Sequence, residues 1–339
     1  MDIYITIFPL WYMIIALIVY KSILHVSFKG GQLVRLIAKN LTFFLLVVML
    51  AIVITACNPS KYEETTSQII SAASLSELMS GGGSVVVVDM QQPEDYAAGH
   101  VDGAVNITKD DIVINVPVEN MLTSKSKFEK LMGEKGIDND ATVVIYDNDR
   151  MSAARLWWTF LVYGNENARV VDGGLEAIKS AGIDLTQQVP SVHPAVYTAK
   201  DKNKAWLADM SEVMAQLDEP DPNVVLLDVR TDQEYTESGK IPSSIMYDYN
   251  NIFYTDNTFK DVQTTRINFI DNGMRPEKEI IMYCQTSMRA APVFLSLYQA
   301  GYRNIKIYDG AYLEWSSNPN NPIEMPAGAS ALPSKKDAS

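Results

Sequence analysis

Glu279-Ile280-Ile281-Met282-Tyr283-Cys284-Gln285-Thr286-Ser287-Met288-Arg289 joins a short, apolar, β-branched run to a run with helical apolar spacing. The first half predicts a buried strand. The second continues through Ala290, Val293, Phe294, Leu297 and Tyr298, and predicts a helix that Gly301 ends. A strand that passes into a helix through a tight loop aims several backbone N–H groups, and the positive end of the helix dipole, at one spot. A cysteine at the head of such a loop is placed to act as a thiolate nucleophile and to carry an anionic adduct. The competing reading of a lone cysteine is a small buried hydrophobe, and the sequence around Cys284 decides between them.

The same pattern occurs 137 residues earlier. Tyr146-Asp147 matches Tyr283-Cys284, Ala153-Ala154 matches Ala290-Ala291, and Asp172-Gly173 matches Asp309-Gly310. Upstream, Val85-Val86-Val87-Val88-Asp89 matches Val224-Val225-Leu226-Leu227-Asp228, each followed by an acidic-aromatic pair and a turn at Gly99 or Gly239. Each copy reads as a strand, a short helix, a turn, a second strand ending in the loop, a long helix, and a strand ending in Asp-Gly. Alternating elements of this kind predict an α/β fold of two tandem domains, each a mainly parallel sheet with helices on both faces and sites at the carboxyl ends of strands. The expected organisation is a hydrophobic leader (1–57), a tether (58–70), an amino-terminal domain (71–187), a linker with Pro190 and Pro194 (188–204), a carboxyl-terminal domain (205–322) and a disordered tail (323–339).

These residues resemble the rhodanese family, specifically its tandem-domain sulfurtransferases. Asp228-Val229-Arg230 with Glu234-Tyr235 and Gly239-Lys240-Ile241-Pro242 is similar to one family signature. Gly301-Tyr302-Arg303-Asn304-Ile305 through Tyr308-Asp309-Gly310-Ala311-Tyr312 and Glu314-Trp315 is similar to the other. The resemblance implies a catalytic Cys284 whose loop, Gln285, Thr286, Ser287, Met288 and Arg289, binds the substrate and a cysteine persulfide, with Asp228 and Arg230 bracing that loop. It also implies a non-catalytic amino-terminal copy, in which Asp147 replaces the cysteine and caps the following helix. Phosphatases resembling rhodaneses have five residues between cysteine and arginine, whereas this chain has four, so sulfur transfer ranks above dephosphorylation. The implied reaction moves sulfane sulfur from thiosulfate or a related small-molecule donor to a thiol, cyanide or protein acceptor. Gln285-Thr286-Ser287 matches neither the thiosulfate nor the mercaptopyruvate loop of the family. Glu234 also stands where tandem members often place a substrate-binding arginine. A non-catalytic binding module is therefore the alternative. No cofactor and no metal are expected, and His25, His100 and His193 lie far from Cys284 in sequence, which disfavours a cysteine–histidine hydrolase.

With 28 basic and 41 acidic residues the chain has a formal net charge of −13, which disfavours nucleic acid as a partner. Two apolar stretches, Ile3 to Tyr20 and Leu41 to Ala56, lie in the leader. The second follows Arg35 and Lys39 and ends Ile54-Thr55-Ala56-Cys57, similar to a bacterial lipobox. The expected signal (34–57) would leave a lipidated Cys57 as the new amino terminus and anchor the protein in the bacterial cell envelope, facing away from the cytoplasm. An ordinary membrane anchor is the competing reading. Residues 1–33 are expected either to precede the true start, near Leu33 or Val34, or to include an additional transmembrane helix from Ile3 to Tyr20. With Cys57 lipidated, Cys284 is the single remaining thiol, and no disulfide can form within the globular part.

Overall fold

The computed structural model describes residues 67–327; the apolar leader and Cys57 lie outside them. In the first repeat the elements are β1 (Ile69–Ile70), α1 (Ala72–Ser80), β2 (Val85–Asp89), α2 (Pro93–Ala98), β3 (His100–Val101), β4 (Val105–Asn106), α3 (Lys109–Ile112), β5 (Val113–Ile114), β6 (Met121–Leu122), α4 (Lys125–Glu134), β7 (Thr142–Tyr146), α5 (Ser152–Val162), β8 (Ala168–Val171), α6 (Gly174–Ser180) and β9 (Leu185–Thr186). The second repeat comprises β10 (Leu207–Ala208), α7 (Met210–Asp218), β11 (Val224–Asp228), α8 (Asp232–Ser238), β12 (Ile245–Met246), α9 (Val262–Asp271), β13 (Glu279–Tyr283), α10 (Ala290–Gln299), β14 (Ile305–Tyr308) and α11 (Ala311–Ser317).

Each repeat builds a five-stranded sheet. Their orders are β1-β8-β7-β2-β4 and β10-β14-β13-β11-β12. All pairings within the two sheets are parallel, with β2 against β7 from Val85↔Thr142 to Asp89↔Tyr146 and β11 against β13 from Val224↔Glu279 to Asp228↔Tyr283. Parallel sheets need both faces covered, and the alternation within the strands shows how. Val143 and Ile145 face one core with α5, whereas Val144 and Tyr146 face another with Leu75 and Ile178 of α1 and α6. Likewise Ile280, Met282 and Cys284 face the α10 side, and Ile281 and Tyr283 face Val213 and Trp315.

Helices α5 and α10 fix how the repeats sit together. Every residue of α5 is buried, as are nine of the ten in α10. A helix apolar all round has no face for water, so each is covered by its own sheet on one side and by the other repeat on the other. Trp157 of α5 meets Tyr298 and Phe294 of α10 at ring-centroid distances of 5.3 and 6.2 Å, and Trp206 packs on the same two rings. One hydrophobic core therefore runs through both repeats.

The segment expected as linker packs against the first repeat: the N–H of Ala195 donates to the Gly133 carbonyl and that of Asn203 to the Val162 carbonyl, both at 2.9 Å. Two edges of the fold lie in segments that read from sequence as tether and tail. Ile69 and Ile70 are buried in β1 and pair with Val170 and Val171, and Glu324 forms an antiparallel bridge with Lys240. Two-residue edge strands carry too little periodicity to be seen in sequence.

Asp147, at the position matching Cys284, is a helix-capping residue as expected. Its Oδ2 accepts the Ala153 N–H at 2.9 Å and its Oδ1 that of Arg150 at 3.3 Å. Burial, and the neighbouring carboxylate of Asp149, push the Asp147 carboxyl up from its ordinary 3.8 to about 8. A raised carboxyl favours the folded state fully below its unfolded value and loses that advantage as pH rises through the folded one. Asp147→Asn keeps a capping acceptor but cannot ionise, so its stability relative to wild type should rise between about pH 4 and pH 8. Asp147→Ala, which loses the cap, should be less stable by about 0.5–2 kcal/mol at pH 4. Urea unfolding midpoints across this range provide the measurement, and parallel curves for wild type and Asp147→Asn would refute the buried-acid assignment.

Candidate active site

Strand β13 ends at Tyr283 and α10 begins at Ala290, leaving Cys284 to Arg289 as the connecting loop. Cys284 is 1% exposed; Ser287 and Met288 are buried, and Gln285, Thr286 and Arg289 are half-buried. The loop is held from below by the start of α11, where the Tyr312 N–H donates to the Cys284 carbonyl (2.9 Å) and the Leu313 N–H to the Gln285 carbonyl (3.0 Å). With those carbonyls engaged, the backbone N–H groups of Gln285, Thr286, Ser287, Met288 and Arg289 find no acceptor among the described residues. Backbone donors left free in a loop can receive negative charge at its head.

Two residues adopt left-handed conformations to make this possible, Ser287 (φ 57°) in the loop and Ala311 (φ 56°) at the start of α11. The first repeat has Arg150 (φ 64°) and Gly174 (φ 54°) at the matching places, and there the Leu175 N–H donates to the Asp147 carbonyl. The two loops thus share a backbone course but are held differently: Arg150 is fixed by its own N–H donating to Asp147 Oδ1 and its guanidinium to Asn257 Oδ1, whereas Ser287 is fixed through its hydroxyl. The side chain at the head differs as well, a thiol in one copy and a carboxyl in the other.

Arg289 closes the loop. Its guanidinium makes a two-pronged ion pair with Glu234, both bonds 2.6 Å, and also interacts with Cys284. Glu234 is fixed by the capping box that begins α8, where its carboxylate accepts the Thr231 N–H. Burial pushes the Glu234 carboxyl up, but its bonds to Arg289 and Thr231 outweigh this and bring it down to about 2. Burial likewise opposes the Arg289 charge, which Glu234 and Cys284 hold above its ordinary range. The Arg289 charge is therefore already paired within the protein.

Asp228 and Arg230, expected to brace the loop, form a fully buried pair joined at 2.6 Å. Arg230 also donates to the Gly239 carbonyl and Ser238 Oγ, and lies 3.7 Å from the centroid of the Tyr312 ring. Neither side chain forms a hydrogen bond with the loop among the described residues. Arg230 meets the Tyr312 side chain, and the Tyr312 backbone N–H donates to the Cys284 carbonyl. Buried pairs of this kind specify geometry at a desolvation cost.

The residues that touch the loop directly include several that sequence reasoning passed over. Asp309 Oδ1 accepts from Ser287 Oγ at 3.1 Å, and Asn120 of the first repeat donates to Thr286 Oγ1 at 3.0 Å. Arg155, fully buried in α5, donates to Ser287 Oγ at 3.1 Å, to Asp309 Oδ1 at 2.8 Å and to the Asn120 carbonyl at 2.9 Å. An arginine within an otherwise apolar helical run was the one available signal, because a buried guanidinium requires a partner. Among the described residues there is no cluster of His, Cys, Asp and Glu that could hold a metal ion.

The family model for the rhodanese-like domain matches the chain twice, over residues 71–181 and 209–318. The chain is 29% identical over 248 residues to a putative thiosulfate sulfurtransferase of Mycolicibacterium smegmatis, spanning 68% of this chain and 87% of that protein. It is 30% identical over 246 residues to the sulfur carrier protein TtuD of Thermus thermophilus, spanning 67% and 86%, and 29% identical over 252 residues to the thiosulfate sulfurtransferase of Corynebacterium glutamicum, spanning 68% and 81%. Among solved structures, the anaerobic ergothioneine biosynthesis enzyme from Chlorobium limicola, in complex with trimethyl histidine, shares the fold with a TM-score of 0.69 at 22% identity, covering 76% of this chain and 70% of that one. Two matched repeats, each with the α/β architecture described above, and relatives of this class over most of their own length place the chain: it belongs to the rhodanese-like family, as a tandem-domain sulfurtransferase.

Proposed function

We propose that Cys284 is the sulfur carrier, accepting sulfane sulfur from thiosulfate or a related donor as a persulfide and passing it to a thiol, cyanide or protein acceptor. The observation that carries this reading is the set of five backbone N–H groups beside the Cys284 thiol with no acceptor among the described residues. In the first step the thiolate attacks the outer sulfur of the donor. The new S–S bond forms on Cys284 as the donor S–S bond breaks, and sulfite leaves with the electron pair. In the second step the acceptor attacks the outer sulfur and the Cys284 thiolate leaves, so no external oxidant or reductant is consumed. Gln285 to Arg289 hold the persulfide anion by backbone donation. Treating the full-length protein with thiosulfate should add one sulfur atom by intact mass, removable by cyanide or dithiothreitol and absent in Cys284→Ser. A wild-type protein that takes no sulfur from thiosulfate, mercaptopyruvate or polysulfide would instead favour a binding module.

Glu234 tunes the donor. By pairing with Arg289 it removes the net positive charge that a dianion such as thiosulfate would otherwise meet. Glu234→Gln should therefore lower the KM for thiosulfate several-fold at low ionic strength, an effect that fades as salt is raised. The same variant tests the ion pair independently. A lowered carboxyl contributes stability above its unfolded value, here about 4.5, and loses it as pH falls through about 2. The stability difference between wild type and Glu234→Gln should follow that window, and a difference independent of pH would refute it.

The address follows from Ile54-Thr55-Ala56-Cys57, with Arg35 and Lys39 before the apolar stretch. In this reading the mature protein begins at a lipidated Cys57 and sits in the bacterial cell envelope, outside the cytoplasm. Its partners there are small sulfur compounds and the membrane surface, and its acidic surface keeps nucleic acid away. Metabolic labelling with a fatty acid should mark wild type and not Cys57→Ala. An unlabelled wild-type chain that retains Leu41 to Ala56 at its amino terminus would leave a membrane-spanning anchor in place of the lipid.

A further inference from the structure

We infer that Arg155, supplied by the cysteine-free repeat, is a positioning residue for the Cys284 loop, holding Ser287 in the left-handed conformation on which the course of the loop depends. The inference rests on the sulfur-transfer reading of that loop. A non-glycine residue at positive φ persists only where its surroundings over-determine it. Ser287 has no exposure to water, and its hydroxyl is fixed at both ends, accepting from Arg155 Nη1 and donating to Asp309 Oδ1. Arg155 is itself held by Asp309 and the Asn120 carbonyl, with its guanidinium carbon 4.5 Å from the centroid of the Trp158 ring. One cation, one carboxylate and one hydroxyl thus form a closed set across the interface between the repeats.

The near-symmetry of that interface separates this role from simple docking. Asp309 Oδ2 accepts the Leu122 N–H from the first repeat at 2.7 Å, and Asp172 Oδ1 accepts the Phe259 N–H from the second at 2.7 Å. Asn120 and Asn257 occupy matching positions with φ of 62° and 66°, as do Ser287 and Arg150. Docking is therefore served by equivalent bonds on both sides. Arg155 breaks the match, because the residue 137 positions later is Pro292, which has no guanidinium to offer. The arginine stands on the side that braces the cysteine loop; in the Asp147 loop the matching left-handed residue, Arg150, is held instead by its own bonds to Asp147 Oδ1 and Asn257 Oδ1. Removing Arg155 would leave Asp309 buried without its cation and release the Ser287 hydroxyl, and the loop amides would lose their common aim.

The test compares full-length wild type, Arg155→Lys, Arg155→Met, and Arg155→Met combined with Ser287→Gly, in sulfur transfer from thiosulfate to cyanide and in the alkylation rate of Cys284 by iodoacetamide. Arg155→Met should lower kcat on the order of ten- to a hundredfold, with KM for thiosulfate changed far less, since misplacement of a reacting group costs rate more than binding. Adding Ser287→Gly should restore at least roughly threefold of the loss, because glycine adopts positive φ without a brace. Arg155→Lys should be intermediate. A folded Arg155→Met with wild-type kcat, or a loss that Ser287→Gly does not relieve, would reduce Arg155 to a packing residue. Should Arg155→Met fail to fold, an unchanged kcat in Arg155→Lys overturns the inference, and a lowered kcat relieved by Ser287→Gly supports it. If wild type itself transfers no sulfur, the sulfur-transfer reading fails separately. Cys284 alkylation, which needs no donor, then decides: slowing by Arg155→Met with relief by Ser287→Gly supports the positioning role, and unchanged rates overturn it.

Discussion

Helices α5 and α10 have almost no surface that can face water, and the rest of the molecule is arranged around that constraint. Each covers its own parallel sheet with one side and must find apolar cover for the other. The cover available is the matching helix of the other repeat, so the two domains share one core through Trp157, Phe294 and Tyr298. Burying aromatic surface of this extent is strongly favourable and non-directional. The polar contacts between Asp309 and Leu122, and between Asp172 and Phe259, add direction and set the register of the two halves.

That shared burial has a chemical consequence. The loop that follows β13 begins at the edge of the common core, so the residues lining it come from both repeats. From its own repeat it receives the amides of Tyr312 and Leu313, the carboxylate of Asp309, and the Glu234–Arg289 pair. Across the interface come Asn120 and Arg155. A fold duplicated in this way carries a thiol at the head of one loop and a carboxyl at the other, and residues of both copies line the loop that bears the thiol. The electrostatic character of the site is mixed for the same reason: backbone donors favour an anion on sulfur, while Glu234 compensates the loop's own cation, Arg289.

The duplication was legible in the sequence because it rests on local signals, namely β-branched runs, Gly and Asp at fixed offsets, and helical apolar spacing after each loop. Cys284 and its loop were legible for the same reason, since strand, loop and helix are contiguous in the chain. The capping role of Asp147 could be read as well, as a side-chain oxygen six residues before the N–H it satisfies. By contrast, β1, β4 and β12 are two residues long and take their identity from the neighbours they pair with.

The sequence by itself determined that there are two α/β repeats, that one carries a thiol at the head of a strand–loop–helix turn, and that the other carries a carboxyl there. Only the tertiary structure decided which residues surround that thiol. Arg155 lies 132 positions from Ser287, Asn120 lies 166 from Thr286, and Glu234 lies 55 from Arg289. No periodicity links residues at such separations. Asn120 and Arg155 reach the loop because α5 and α10 are buried against each other, and Glu234 reaches Arg289 because β11 lies beside β13 in one sheet.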